Sequence, residues 1–360
     1  MPRILFVAAH RPDRSPSQRF RFEQYLDHFR QNGYECDLSY IIRGEDDTAF
    51  YSPGHFFSKL AVVVRSWQKR RRDVRSASRY DIVFVQREAF MTGSSYFERQ
   101  FAKRTKLVFD FDDALWLMDI SEGNRRFGWL KNPDKTRKII AVSHLVIAGN
   151  KYLADYARRY NSNVVMIPTT IDTGYHRKVF FPKPDDRICI GWTGSLTTIK
   201  HFEYAVPFLK ALREKYRDHI YFKVIGDAGY RNSELGIQGV AWNAATEIAD
   251  LSEIDIGIMP LPDDEWAKGK CGLKALSYMA MEIPAVLSPV GVNAEIISDG
   301  ENGFLARENR EWVEKLSRLI ESKELRERLG QKGRRTVEER YSVSSQKQIY
   351  LEHFGRLLAK

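Results

Sequence analysis

The sequence predicts an α/β protein made of two doubly wound, Rossmann-like domains in tandem. Three observations carry that expectation. Short β-branched runs, apolar on both faces, alternate with longer amphipathic stretches from end to end, which is the pattern of a parallel sheet covered by helices on both sides. The alternation is interrupted once, by a charged, proline-bearing bridge over 172–187, and then starts again. The length of 360 residues suits two domains that each bury a core of their own.

In the first half the strand candidates are 4–8, 36–42, 81–86, 107–111, 145–148 and 164–167, with helical periodicity between them, most clearly over 19–29 and 56–72. After the bridge the strand candidates are 187–192, 221–225, 254–259 and 285–288, with helices over 202–216 and 273–281. The last stretches, 311–320, 323–339 and 344–358, are charged helical patterns, and no repeat of 20 to 50 residues is present. The expected domains are 1–175 and 176–343. In such folds ligands sit beyond the carboxyl ends of the strands, so chemistry is sought in the loops that extend from those ends.

Composition narrows the class. With 43% apolar and 29% charged residues and no low-complexity tract, the chain is globular rather than disordered or fibrous. Cys36, Cys189 and Cys271 lie far apart without CxxC or Cys/His spacing, which argues against a disulfide framework or structural zinc and fits a reducing compartment. The first apolar run stops at Ala9, too short for a signal-peptide core, and no stretch approaches 18 apolar residues. A cytoplasmic protein is expected. The net charge is +10, with 29 basic against 20 acidic residues in 1–175 and 28 against 27 thereafter. The basic first half attracts phosphates, nucleic acid or anionic headgroups without choosing among them. No RNP-like or helix-turn-helix signature points to specific nucleic-acid binding.

Two loops of the second half suit an anion. Gly191-Trp192-Thr193-Gly194-Ser195 comes directly after a strand, with Lys200 five residues on; glycines let backbone N–H groups approach an anion closely, though the loop is neither GxxxxGK[ST] nor GxGxxG. More specific is Lys268-Gly269-Lys270-Cys271-Gly272, which precedes the helix pattern 273–281. Lys268, Lys270 and Lys274 oppose the dipole of a helix start unless an anion sits there, as a diphosphate would; a solvated basic turn is the alternative.

In the first half, Asp110, Asp112 and Asp113 crowd the end of a strand. Carboxylates this close need a cation or a proton among them, so the cluster is either a functional group, a Mg²⁺ clamp through Asp110 and Asp112, or a surface turn. Arg19 and Arg21, in the segment 14–21 after the first strand, suit an acceptor anion, the donor phosphate or an exposed helix start. Residues 55–79 read as a basic amphipathic helix with Phe56, Phe57 and Trp67 on it, fit either for an anionic membrane surface or for packing on the sheet with a solvated basic end.

The run Gly272-Leu273-Lys274-Ala275-Leu276-Ser277-Tyr278-Met279-Ala280-Met281-Glu282-Ile283-Pro284 resembles the signature helix of GT-B glycosyltransferases of family 4, the group 1 glycosyl transferases. The segments 288–297 and 299–305 are similar to the family's stretch after that helix, and Ile167-Pro168-Thr169-Thr170-Ile171-Asp172 resembles the family's interdomain crossing. The resemblance implies two Rossmann-like domains facing across a cleft. The N-terminal one would take the acceptor, the C-terminal one the nucleotide-sugar, and the helix 344–360 would pack back on the first. Two glutamates of the family pattern are replaced by Gly269 and Ser277, and its Arg…Lys pair by Ser195 and Lys200.

The implied donor site is then Gly194, Ser195, Lys200, Gly269, Lys270, Cys271, Gly272, Leu273, Lys274 and Ser277, with Lys270 and Lys274 four apart on one helical face making up phosphate charge and Ser277 reaching the ribose. Asp263 to Glu265 would hold sugar hydroxyls. Arg19, Arg21, Asp112 and Asp113 would meet the acceptor, with Asp112, Lys200 and Lys270 as the catalytic candidates. The implied activity is retaining, metal-independent sugar transfer from a nucleotide diphosphate to a hydroxyl of a saccharide or lipid-linked acceptor, in cell-surface polysaccharide or glycolipid assembly, at the inner face of the membrane. No cofactor and no metal ion are expected. A nucleotide-sugar epimerase on the same plan, and a non-catalytic basic protein that binds lipid or nucleic acid, are the alternatives.

Overall fold

The computed structural model describes residues 1–52, 54–117, 132–180, 182 and 186–359. Of the expected polar bridge, residues 181 and 183–185 lie outside the described residues. The chain forms two compact units, Met1–Thr169 with Gln346–Lys360, and Thr170–Ser345. The division falls at 169/170 rather than 175/176 because Ile171 pairs with the chain's return: its N–H donates to the Tyr341 carbonyl and its carbonyl accepts from Val343.

The first unit is a six-stranded parallel sheet of β1 (Arg3–His10), β2 (Glu35–Ile42), β3 (Ile82–Gln86), β4 (Lys106–Phe111), β5 (Leu145–Ala148) and β6 (Val164–Met166), in the order β2-β1-β3-β4-β5-β6. All residues of β3 and β5 are buried, which is why these strands read as unbroken apolar runs. The expected helix over 19–29 is instead Pro16–Arg21, a 3₁₀ turn Glu23–Tyr25 and a helix Leu26–Gln31. Its periodic apolar residues are real core, but Phe22, at φ −140°, leaves helical geometry so that its ring stacks on Phe6 with centroids 5.0 Å apart. Tertiary packing of the aromatic cluster overrides the local period. The last helix, Val343–Leu358, lays Tyr350 and Phe354 on Phe29 at 5.7 and 5.4 Å.

The second unit holds β7 (Ile188–Thr193), β8 (Ile220–Ile225), a short hairpin of β9 (Arg231–Asn232) and β10 (Ile237–Gln238), then β11 (Ile256–Met259), β12 (Ala285–Leu287) and β13 (Phe304–Leu305). The main sheet is parallel, in the order β13-β12-β11-β7-β8. The helix Leu273–Ala280 lies against it, its Tyr278 ring on Gly257, where a Cβ would come within 2.4 Å of the ring. Since β7 and β11 are neighbours, the two anion-suited loops emerge side by side from their carboxyl ends.

Candidate functional site

In the second unit, β7 ends at Thr193, whose N–H donates to the Tyr278 hydroxyl at 2.8 Å. The loop beyond it is pressed against the loop after β8. Gly226 adopts φ +126°, and a Cβ there would lie 2.3 Å from the Gly194 carbonyl oxygen. The close approach needs glycine at 226, while glycine at 194 is required by the Trp192 ring, 2.1 Å from where its Cβ would lie. A 3₁₀ turn, Ile199–Ala205, then carries Lys200 and His201. From the neighbouring strand, β11, the chain runs through a helical turn Glu265–Lys268, capped by the Asp264 carboxylate on the Ala267 N–H, to the helix Leu273–Ala280.

The charges of both segments act on His201. The residue is 4% exposed, and its pKa falls to about 4, first through burial and then through the charges of Lys274, Lys270 and Lys200, with Asp264 opposing them. The charges of three of the expected phosphate lysines therefore act on one buried imidazole and favour its neutral form. Lys274 Nζ lies 5.2 Å from the Trp192 ring centroid and Lys270 Nζ 4.5 Å from that of Trp266. Among the described residues, His201 Nδ1 and Trp192 Nε1 are buried without a hydrogen-bond partner. The arrangement supplies positive charge, a helix start and unmatched polar atoms, as an anionic group requires.

Several sequence expectations change here. Lys270 and Lys274 do not share a helical face: Gly272, at φ +72°, caps the helix and breaks it from the turn before, so Lys270 precedes the helix. The cap must be glycine, since a Cβ would lie 2.4 Å from Ile296 Cδ1. Lys268 is drawn to Glu265 at 2.7 Å, and Asp264 serves as the cap, which occupies two of the acidic groups assigned to sugar hydroxyls. Ser277 is buried and donates to the Leu273 carbonyl at 2.9 Å, so toward a ribose it can only accept. Cys271 is buried, with its sulfur 3.9 Å from the Gly269 carbonyl oxygen.

In the first unit the acidic cluster is neutralised by two arginines. Arg21 and Asp110 have fully buried side chains; the guanidinium meets the carboxylate at 2.5 Å and donates to the Ile167 carbonyl at 2.6 Å. The expectation that Arg21 meets an acceptor, or starts an exposed helix, is therefore corrected: it is a core ion pair. Arg19 is half-buried and stacks over Phe20 at 5.1 Å. Arg87, which the sequence reading missed, pairs with Asp112 at 2.8 Å and Asp113 at 3.1 Å. It sits directly after β3 at φ +61°, a conformation non-glycine residues adopt at a cost and retain mainly where function or packing holds them. Burial pushes the Asp112 carboxyl up, but Arg87, the Ser17 hydroxyl at 2.6 Å and Arg21 outweigh it and hold Asp112 below the usual range. Burial raises Asp110 against the pull of Arg21. Among the described residues, no group of three or more His, Cys, Asp and Glu side chains is arranged to hold a metal ion.

The two lysine-bearing loops, β7 to β13 and the helices between them fall within a stretch that matches a known family. Residues 187–322 match the family model described as glycosyl transferases group 1. The second unit carries a group 1 glycosyltransferase domain. The chain is 40% identical over 228 residues to MJ1178 of Methanocaldococcus jannaschii, an uncharacterized glycosyltransferase, across 62% of this chain and 60% of that protein. It is 38% identical over 68 residues to EpsD of Bacillus subtilis, 18% of each chain. It thus spans less than two thirds of these curated relatives. In structure it resembles sucrose-phosphate synthase from Thermosynechococcus elongatus, with a TM-score of 0.72 and 12% identity over 100% of both chains. It also resembles Anabaena HepE in complex with UDP and glucose, with a TM-score of 0.70 and 14% identity over 99% of this chain and 100% of that one. The fold is GT-B. Within the group 1 domain lie Lys200, His201, Lys270 and Lys274, together with every other candidate donor residue, whereas the Asp110, Asp112 and Asp113 cluster lies outside it.

Proposed function

We propose that this chain transfers a sugar, with retention, from a nucleotide-diphosphate sugar to a hydroxyl of a saccharide or lipid-linked acceptor, in the assembly of cell-surface polysaccharide or glycolipid. The observation that carries the reading is that the loop with Lys200 and the segment with Lys270 and Lys274 leave the carboxyl ends of the neighbouring strands β7 and β11, within the stretch that matches the group 1 family, and that their charges act together on the buried His201. That HepE is seen with UDP and glucose supports a nucleotide-sugar as donor.

The chemistry asked of the residues is positioning and electrostatics. As the glycosidic bond to the diphosphate breaks, negative charge grows on the leaving oxygen; three lysines and the first N–H groups of helix Leu273–Ala280 lie ready to stabilise it without reorganising. The leaving diphosphate takes the proton of the attacking hydroxyl, so no protein nucleophile is required and lysine charge replaces that of a metal ion. Asp112, held ionised, orients the acceptor hydroxyl.

The test is nucleotide-diphosphate binding by calorimetry to Lys270→Ala and Lys274→Ala. Each substitution removes a charge-assisted contact and weakens binding by about 1–3 kcal/mol. Unchanged affinity in both folded variants refutes the donor site. With a donor identified by such binding, the anomeric configuration of the product tests retention.

A further inference from the structure

We propose that the buried side chains of Glu98, Lys135 and Arg70 are positioning residues: they clamp the segment after β3 so that Arg87 keeps its guanidinium on Asp112 and Asp113. Their bearing on sugar transfer rests on the acceptor role proposed for Asp112. The three come from different helices. Arg70 lies on Phe56–Ser76, the helix read from the sequence as basic over 55–79, Glu98 on Tyr96–Ala102 and Lys135 on Asp134–Val142. Arg70 and Glu98 are fully buried and Lys135 is 7% exposed, so the basic run of the first helix is not solvated throughout.

Their partners are the backbone groups of one irregular stretch. Glu98 Oε1 accepts from the Ala89 N–H at 2.8 Å, and Arg70 Nε donates to the Ala89 carbonyl at 2.6 Å. The same guanidinium reaches back to the Ala8 carbonyl of β1 at 2.6 Å. Lys135 Nζ donates to the Phe90 and Thr92 carbonyls, the second at 2.7 Å, and to the Glu88 carboxylate at 2.7 Å. Ala89 is thus gripped through both of its backbone polar groups. Buried backbone groups need partners, and a stretch outside helix and sheet finds none in a ladder of its own. Neutral side chains could serve; buried charges cost more to desolvate, and here they fix a single conformation. That conformation begins two residues before Ala89. Arg87 stands at φ +61° with its N–H on the Asp110 carbonyl at 2.8 Å. The reversal aims its guanidinium across the end of β4, at Asp112 and Asp113. The Arg87 side chain is 35% exposed and has solvent to turn to, and its backbone is strained, so the pairing needs a held segment.

NMR titration of isotope-labelled aspartate carboxyls in the full chain tests the clamp, the Asp112 signal being assigned by its loss in Asp112→Asn. Arg87, the Ser17 hydroxyl and Arg21 act on Asp112, with Asp110, Asp113 and Tyr350 as further neighbours; of these only Arg87 is carried by the clamped segment. Arg87→Gln raises the titration of Asp112 by about 1–3 pH units, the effect of one close guanidinium. Burial raises the Glu98 carboxyl, opposed by the Lys135 charge and the Ala89 N–H. Charged or neutral it accepts from Ala89, and glutamine does the same. Glu98→Met, which leaves the Ala89 N–H without its acceptor, raises the Asp112 titration by about half the Arg87→Gln shift or more. Glu98→Gln, equally uncharged, leaves it near the native value. Where Glu98→Met does not fold, Lys135→Met carries the test: it frees the Phe90 and Thr92 carbonyls and shifts the titration the same way. That shift falls away in Arg87→Gln, because the two act through one contact. An Asp112 titration unmoved in Glu98→Met and Lys135→Met while melting temperatures fall overturns the proposal. So does an equal shift in Glu98→Met and Glu98→Gln, or a Lys135→Met shift undiminished in Arg87→Gln. The signal reports the carboxyl itself, so a shift that the acid limb of kcat/KM does not follow counts against the acceptor role of Asp112 and leaves the clamp standing.

Discussion

Replacing Arg21 by methionine tests whether the strand-end acidic cluster rests on a buried ion pair. The side chains of Arg21 and Asp110 are both fully buried, and the guanidinium makes its bonds to Asp110 and to the Ile167 carbonyl. Methionine fills most of the volume but leaves Asp110 an uncompensated charge in the core, close to Asp112. Removing one partner of a buried pair costs about 3–5 kcal/mol. For a unit of this size each kcal/mol lowers the melting temperature by about 2–4 °C, so the transition of the first unit falls by roughly 6–20 °C in scanning calorimetry. Arg21→Met with Asp110→Leu recovers most of the loss, since an apolar pair of similar volume is close to neutral. The sign with pH is also fixed. Burial already raises the folded-state pKa of Asp110 above its unfolded value, and without the opposing charge of Arg21 it rises further, so the penalty of Arg21→Met shrinks as pH falls and protonates it. A single variant within about 1 kcal/mol of the native chain, or a double variant no better than the single, refutes the ion-pair reading.

The strands were legible because parallel strands buried on both faces leave unbroken apolar runs, and β1 to β8, β11 and β12 begin and end within about two residues of the sequence expectation. The two-residue strands of β9, β10 and β13 are too short to carry a period. The first helix was misread for a different reason: Phe20, Phe22, Tyr25 and Phe29 all belong to the core, and no helical period says that the backbone must turn at Phe22 for all four to reach it. At the site, residue types were readable and partners were not. Lys268, Lys270 and Lys274 near a glycine-rich turn signalled an anion, but that Lys270 and Lys274, and not Lys268, act with Lys200 on His201 depends on β7 and β11 being neighbours, a fact of sheet order. Crowded aspartates called for a cation, yet the sequence could not show that Arg21 arrives from 89 residues away or that Arg87 turns toward them through a left-handed backbone.

The titrating groups supply two more tests. The pKa of His201 in the folded chain, about 4, lies below its unfolded value, so the unfolded state binds more protons below about pH 6.5 and stability falls as pH drops through that value. By pH 5 the loss is about 2 kcal/mol, and His201→Asn flattens the decline in melting temperature between pH 7 and 5; an unchanged slope rejects the buried neutral imidazole. The other concerns Asp112. If it orients the acceptor, its charge must persist at working pH, and Arg87 is the principal group opposing its burial. Arg87→Gln leaves burial less opposed, so the Asp112 pKa rises and the acid limb of kcat/KM moves toward neutral pH, while nucleotide-diphosphate affinity in the other unit is unaffected. Arg87→Gly separates charge from backbone strain, because glycine takes φ +61° without penalty; a charge effect appears equally in both variants. Asp112→Asn then lowers turnover across the whole pH range, by up to 10²-fold or more on the scale of acid–base and orienting groups, and removes the limb. A metal clamp predicts otherwise. Chelation would abolish transfer, Mg²⁺ or Mn²⁺ would restore it, and Asp112→Asn would cost donor binding, because a bridging ion needs its carboxylates beside the phosphates. With both aspartates engaged by arginines and the phosphate-suited lysines in the group 1 domain, the expected result is a rate indifferent to EDTA and an acid limb that moves with Arg87.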